Sequence, residues 1–210
     1  MTSEAKEIIV YGAGGHGKDV VQLIRDINKE SYLWNIVGFI DDNADINGKL
    51  VGETPVIGTW EALADWKVKG VNVVMAIGCS RLRKQLLEML SVRCPWLHYP
   101  TLVHPSVIMG DRVKLGEGSV VGALSVLSTE VTVGRHALIH IGCSVGHDSV
   151  LGDYVSVMPG VQISGAVTVC SAVYVGTNAT LLPGIEVGAQ TTIGGGAVVT
   201  ASLPAYCTAV

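Results

Sequence analysis

From Val107 to Ser202 the sequence divides into sixteen consecutive six-residue units without an insertion, beginning VIMGDR, VKLGEG, SVVGAL and ending TTIGGG, AVVTAS. The third position is aliphatic in all sixteen, from Met109 to Val199. The first is always small or β-branched, and the fourth is glycine in nine. No other feature of the chain restricts its fold so tightly. An ordinary amphipathic strand alternates with period two, but this pattern resets every six residues. A triangular coil satisfies it. Each hexad supplies one short flat side and one corner, the aliphatic residue points inward, and glycine eases the turn. Three hexads close one coil, so the run predicts a little over five stacked coils of a parallel β-helix. This domain is expected over 105–203, with 204–210 as a C-terminal tail.

The first hundred residues follow a different pattern. EIIVYGAGGHG starts as a β-branched run and breaks into a glycine-rich turn, after which Val20, Val21, Ile24 and Ile27 fall at helical spacing. A second apolar run, IVGFIDDN, ends in two acids. WEALADWKVKG (60–70) reads as an amphipathic helix, VNVVMAIG (71–78) as a buried strand, and SRLRKQLLEMLSV (80–92) as another helix. Strands alternating with helices imply a small parallel sheet with helices packed on it. This small sheet-and-helix domain is expected over 1–100, closed by Pro95, Pro100 and Pro105.

Composition removes several function classes. The net charge is −4 and no Lys/Arg run occurs, so the electrostatic footprint of a nucleic-acid binder is missing. No apolar stretch reaches the ~18 residues of a membrane span. The start, MTSEAKEIIV, lacks the basic residues and long apolar core of a signal peptide. The five cysteines are scattered without a CxxC, which favours reduced thiols and a cytoplasmic location.

Two places concentrate chemistry-bearing residues. In GAGGHG, Gly12, Gly14 and Gly17 match G-x-G-x-x-G between a strand and a helix, where backbone N–H groups can meet a diphosphate. Asp41 follows at a distance suited to a ribose. Only three strands fit before the β-helix, whereas a dinucleotide fold needs about twice that number. A mononucleotide diphosphate such as a nucleotide-sugar suits the sheet better. The same glycines would also serve a turn needed only for close helix–strand packing, although packing does not call for His16. In the β-helix, His140 stands at a fourth position, where glycine is usual. His147 and Asp148 occupy the fifth and sixth positions of one hexad, so at a corner the carboxylate could hold one imidazole nitrogen and leave the other as a base. Surface decoration and a metal site are the rival readings; no familiar metal spacing matches, and no metal is expected. His136 has no assigned role.

A GAGGHG-type loop, FIDDN, AIGCSRLRKQL and then a hexapeptide β-helix carrying GHD together resemble the sugar O- and N-acetyltransferases of the sialic acid O-acetyltransferase type. The resemblance spans essentially the whole chain. It implies a left-handed β-helix that binds acetyl-CoA behind a Rossmann-like nucleotide-sugar-binding domain, and a homotrimer with active sites between subunits. It implies His147 as general base and Asp148 as the acid that orients it. Gly14, Gly15, His16 and Gly17 would line the nucleotide-sugar, with Asp41 and Asp42 at its base and ribose and Gly78 and Cys79 at a strand end of the same pocket. His140 would be a polar substrate contact. Ser156, Gly165 and Gly194, Gly195 and Gly196 would meet coenzyme A, although Ser156 replaces a histidine found in some relatives. The activity implied is N-acetylation of a nucleotide-linked 4-amino-4,6-dideoxy sugar. O-acetylation of a sialic acid and a non-catalytic nucleotide-sugar-binding scaffold are the alternatives.

Overall fold

The structure, a computed structural model, describes residues 5–210, so the first four residues of the polar start lie outside it. The chain forms two compact units. One comprises Met1–Gly78 and Gln85–Pro100; the other comprises Cys79–Lys84 and Thr101–Val210.

The first unit is built on strands β1 (Lys6–Tyr11), β2 (Trp34–Ile40), β3 (Leu50–Val51), β4 (Thr54–Gly58), β5 (Val71–Met75) and β6 (Leu97–His98), with helix α1 (Gly15–Glu30) and the part of helix α2 (Ser80–Arg93) from Gln85 on, its first turn belonging to the other unit. The sheet order is β3-β4-β2-β1-β5-β6, parallel except for the β3–β4 pair. It therefore holds six strands rather than three. β3 and β6 are two residues long, and Pro55 inside β4 masks that strand in the sequence. Ile8, Ile9 and Val10 of the central strand are fully buried, and α1 turns Val20, Val21, Leu23 and Ile24 onto the sheet. The chain runs from β1 to β2 and β4 on one side, then returns to β5 on the other. Such a reversal leaves a crevice at the carboxyl ends of β1 and β5. The segment expected as an amphipathic α-helix over 60–70 is instead a 3₁₀ helix, Trp60–Trp66. The reason is its period: Trp60, Leu63 and Trp66 recur every three residues, the repeat of a 3₁₀ turn.

The second unit is a parallel β-helix of two-residue strands in three sheets, each strand pairing with the one eighteen residues later. First- and third-position side chains such as Val131 and Val133, Val155 and Val157, Val173 and Val175 form one continuous buried core. Two details differ from expectation. The chain bends at the sixth position, which has left-handed φ throughout 112–196, mostly at residues that are not glycine, among them Arg112, His136, Asp148 and Ala166. Fourth-position glycines serve another purpose. A Cβ on Gly116, Gly134 or Gly146 would come within 2.5 Å of backbone in the next coil, so glycine there permits close stacking of coils. The coil also extends beyond both expected ends. Leu102–Val103 pairs with Val120–Val121, and Thr208–Ala209 pairs with Thr192–Ile193. The stretch 204–210 thus continues the coil rather than forming a tail; the turn before Leu203 is two residues short, and the last strand pairs sixteen residues back.

Candidate active site

In the first unit the candidate residues gather at the carboxyl edge of the sheet. β1 ends at Tyr11, and Gly12 turns the chain with φ +108. A Cβ there would lie 2.8 Å from the Ala76 carbonyl oxygen, and one at Gly17 would collide with the Gly12 carbonyl. Gly12 is therefore required by the close passage of the chain after β5, and Gly17 by the packing of α1 on the turn after β1. A Cβ on Gly14 or Gly15 would meet only open space, and both are exposed at the N-terminus of α1, whose first turn carries no acid. These two leave backbone N–H groups open to an anion. His16, half-buried, and Gly17 belong to the first turn of α1 rather than to a loop before it.

Asp41 and Asp42 follow β2 and meet the glycine turn. The Ala13 N–H donates to Asp41 Oδ2 at 2.8 Å, and the Asn43 N–H donates to its other oxygen at 2.9 Å. The Tyr11 hydroxyl donates to Asp42 Oδ2 at 2.8 Å. Burial, reinforced by Asp42, raises the Tyr11 phenol far above its usual range. Both acids therefore brace the crevice that they border. Gly78 is half-buried just beyond β5, whereas the exposed Cys79 belongs to the other unit.

In the second unit His147 and Asp148 stand at a corner. The left-handed φ of 59° at Asp148 swings its carboxylate back towards its neighbour, and His147 Nδ1 lies 2.7 Å from Asp148 Oδ2. The two side chains are 64% and 60% exposed. A carboxylate on Nδ1 favours the tautomer with its proton there, leaving Nε2 as the basic nitrogen. Val145 and Leu151 are buried on either side, so the corner projects from a rigid core. The outer end of the ring lies over Gly165. His140 is half-buried, and Gly195 and Gly196 are exposed at a corner beside half-buried Gly194.

Two polar residues of the same unit have other roles. Ser156, expected at coenzyme A, is fully buried because the Ser80 hydroxyl covers it, 2.8 Å away. A sealed hydroxyl cannot reach a ligand from the surface, so this expectation is corrected. His136 is buried and stacked on Tyr154, with ring centroids 5.9 Å apart. Burial, then the charges of Arg83 and Arg135, push its imidazole down to about 4, which keeps it neutral near pH 7. Cys143 is likewise no nucleophile. It is buried, its thiol is pushed up to about 11 by burial, and it donates to the Met158 carbonyl.

Sequence reasoning missed Arg83. From the first turn of α2 its guanidinium, 1% exposed, donates through Nε to the His136 carbonyl at 3.0 Å and through one terminal nitrogen to the carbonyls of Tyr154 and Val155 at 2.9 and 3.0 Å. Its signal was the spacing from Ser80, three residues apart on one helix face, but a basic residue in a helix ordinarily reads as solvated.

Comparison with known proteins bears on both units. Residues 7–90 match the PglD N-terminal domain family. The chain is 31% identical over 153 residues to GDP-perosamine N-acetyltransferase of Escherichia coli O157:H7, covering 72% of this chain and 66% of that enzyme. It is 32% identical over 121 residues to UDP-N-acetylbacillosamine N-acetyltransferase of Bacillus subtilis (strain 168), covering 56% and 52%. The matched stretches thus span less than two thirds of either enzyme. Among solved structures, a His-to-Asn variant of Caulobacter crescentus perosamine N-acetyltransferase, in complex with CoA and GDP-perosamine, superposes with a TM-score of 0.88 at 29% identity, covering 98% and 93%. The acetyltransferase domain of PglB from Neisseria gonorrhoeae, in complex with acetyl coenzyme A, gives 0.85 at 29% identity, covering 96% and 94%.

Proposed function

Because the chain belongs to the sugar O- and N-acetyltransferase family of the sialic acid O-acetyltransferase type, joining a Rossmann-like domain to a left-handed hexapeptide β-helix, we propose that it N-acetylates a nucleotide-linked 4-amino-4,6-dideoxy sugar with acetyl-CoA as donor. The observation that carries this reading is the His147–Asp148 pair, an imidazole held through Nδ1 with Nε2 available at an exposed corner. The neutral amine nitrogen attacks the thioester carbonyl carbon, a C–N bond forms and the C–S bond breaks. Nε2 of His147 takes the proton lost by nitrogen and returns it to the departing thiolate, so the products are the amide and free CoA thiol. Asp148 stabilises the imidazolium in between. No acyl-enzyme is needed, in keeping with the buried state of Cys143.

The open N–H groups at Gly14 and Gly15 suit the diphosphate of a nucleotide-sugar, and Asp41 and Asp42 border the place where base and ribose would lie. His140 and the corner at Gly194–Gly196 are assigned to sugar and coenzyme contacts, respectively. The enzyme is proposed to be a cytoplasmic homotrimer with active sites between subunits. Five free cysteines accord with a reducing compartment, and among the described residues no helix is long and apolar enough to cross a membrane. O-acetylation of a sialic acid is the less favoured reading, since both curated relatives carry the names of N-acetyltransferases.

The test is CoA-thiol release from acetyl-CoA with GDP-perosamine, a UDP-4-amino-4,6-dideoxy sugar and free sialic acid. Release is expected with a nucleotide amino sugar and not with sialic acid. His147→Ala should lower kcat by about 10²–10⁴-fold. Full turnover in that variant would remove the base assignment.

A further inference from the structure

We infer that Gly165 is a positioning residue for His147, the absence of a side chain at 165 being the seat on which the imidazole rests. This rests on the reading of His147 as the base. The two residues hold the same fifth place in successive coils, eighteen positions apart, and are therefore stacked. A Cβ built on Gly165 would lie 2.5 Å from His147 Nε2, 2.7 Å from Cε1 and 3.0 Å from Cδ2. The basic end of the ring thus fills the space in which any other residue would carry its first carbon.

The backbone itself does not call for glycine at this position. Its φ is not left-handed; the residue of its hexad that turns the corner is Ala166, with φ 57. The three atoms nearest to a Cβ there all belong to the His147 ring. Gly146, in the coil above, is the contrasting case: a Cβ there would meet the backbone nitrogen of Gly165 and the carbonyl carbon of Ser164, each at 2.5 Å. Gly146 is thus needed by the coil and Gly165 by the ring.

The seat answers a problem set by exposure. A side chain 64% exposed and held by one hydrogen bond through Nδ1 still has rotameric freedom at its far end, where Nε2 does its work. Asp148 fixes the near side of the ring, and the flat surface at 165 limits the far side. A methyl group at 165 forces the ring to swing away, breaking or bending the contact with Asp148. A displacement of about 1 Å at a reacting group costs on the order of 10²-fold in rate.

The experiment compares Gly165→Ala, Gly146→Ala and His147→Ala with the unaltered protein. It measures Tm, kcat, the KM of both substrates and the ¹⁵N spectrum of the His147 imidazole, assigned through its loss in His147→Ala. For Gly165→Ala the expected result is a Tm within roughly 2 °C of the parent and a kcat lowered by about 30-fold or more, with both KM values changed by less than about threefold. The imidazole should pass from one Nδ1-protonated tautomer to a mixture. Gly146→Ala should instead lower Tm and leave the tautomer alone. Unchanged kcat with an unchanged tautomer in Gly165→Ala overturns the seat, as does a raised KM for acetyl-CoA at constant kcat, which would mean a blocked coenzyme path. Should His147→Ala retain full turnover, the base reading fails, and the tautomer comparison still decides whether Gly165 seats the ring.

Discussion

His147 and His136 show how one scaffold sets two imidazoles to opposite purposes. His147 projects from a corner beside a carboxylate, whereas His136 lies under Tyr154 near two arginines. The depressed value of His136 has a measurable consequence. Between pH 6.5 and about 4 the unfolded chain holds a proton at this residue that the folded chain does not, so stability is complete above 6.5 and declines as the pH falls through this window. The loss amounts to about 3 kcal/mol by pH 4. Urea midpoints measured from pH 7.5 to 4 should show it, and His136→Asn, which tolerates the left-handed backbone, should flatten the decline. The pairing of His147 with Asp148 was legible in the sequence because framing the hexads put both at one corner. The burial of Ser156 was not, because the residue that covers it arrives from a helix 76 positions away.

At the scale of elements, the anchor formed by the first turn of α2 is the least expected part of the molecule. Arg83 is buried, its guanidinium is pulled down to about 10 by burial, and it still carries its charge near neutrality. Carbonyls of His136, Tyr154 and Val155, at the coil corners, are among its acceptors. Arg83→Met keeps much of the apolar stem but leaves those carbonyls without this donor. The expected loss is about 3 kcal/mol in denaturant unfolding. The same change should raise the titration midpoint of His136 in an NMR titration, since Arg83 is one of the charges holding it down. The coil was legible as a repeat, yet the work of its glycines was misassigned. A period in sequence marks which positions recur, not whether glycine is there for φ or for the approach of another strand. The two-residue strands β3 and β6 were invisible because periodicity needs more residues than they have.

At the scale of the molecule, the two-part organisation is written in the change of period near residue 100, from mixed strand and helix spacing to an unbroken six. The assembly is not written there. Ile108 at 65%, Val126 at 39% and Val198 at 61% expose apolar side chains from the outward positions of one sheet, a surface that suits the proposed trimer. Sedimentation should return three chains per particle. Val126→Asp, placed on an already exposed position, should shift that equilibrium towards the single chain and lower turnover with it. A fully active monomer would overturn both the trimer and the shared site.

The eighteen-residue stacking that places Gly165 beneath His147 also makes length a quantised property of this unit. Eighteen residues added or removed outside the stretch from His147 to Ala166 return every remaining stack to register, and the coil merely gains or loses a storey. An insertion of one or two residues between His147 and Gly165 that no corner absorbs, as the turn before Leu203 absorbs a loss of two, puts a different side chain under the base. Tolerance to a change of length in this unit is therefore set by whether one corner absorbs it or the stack shifts by a whole coil.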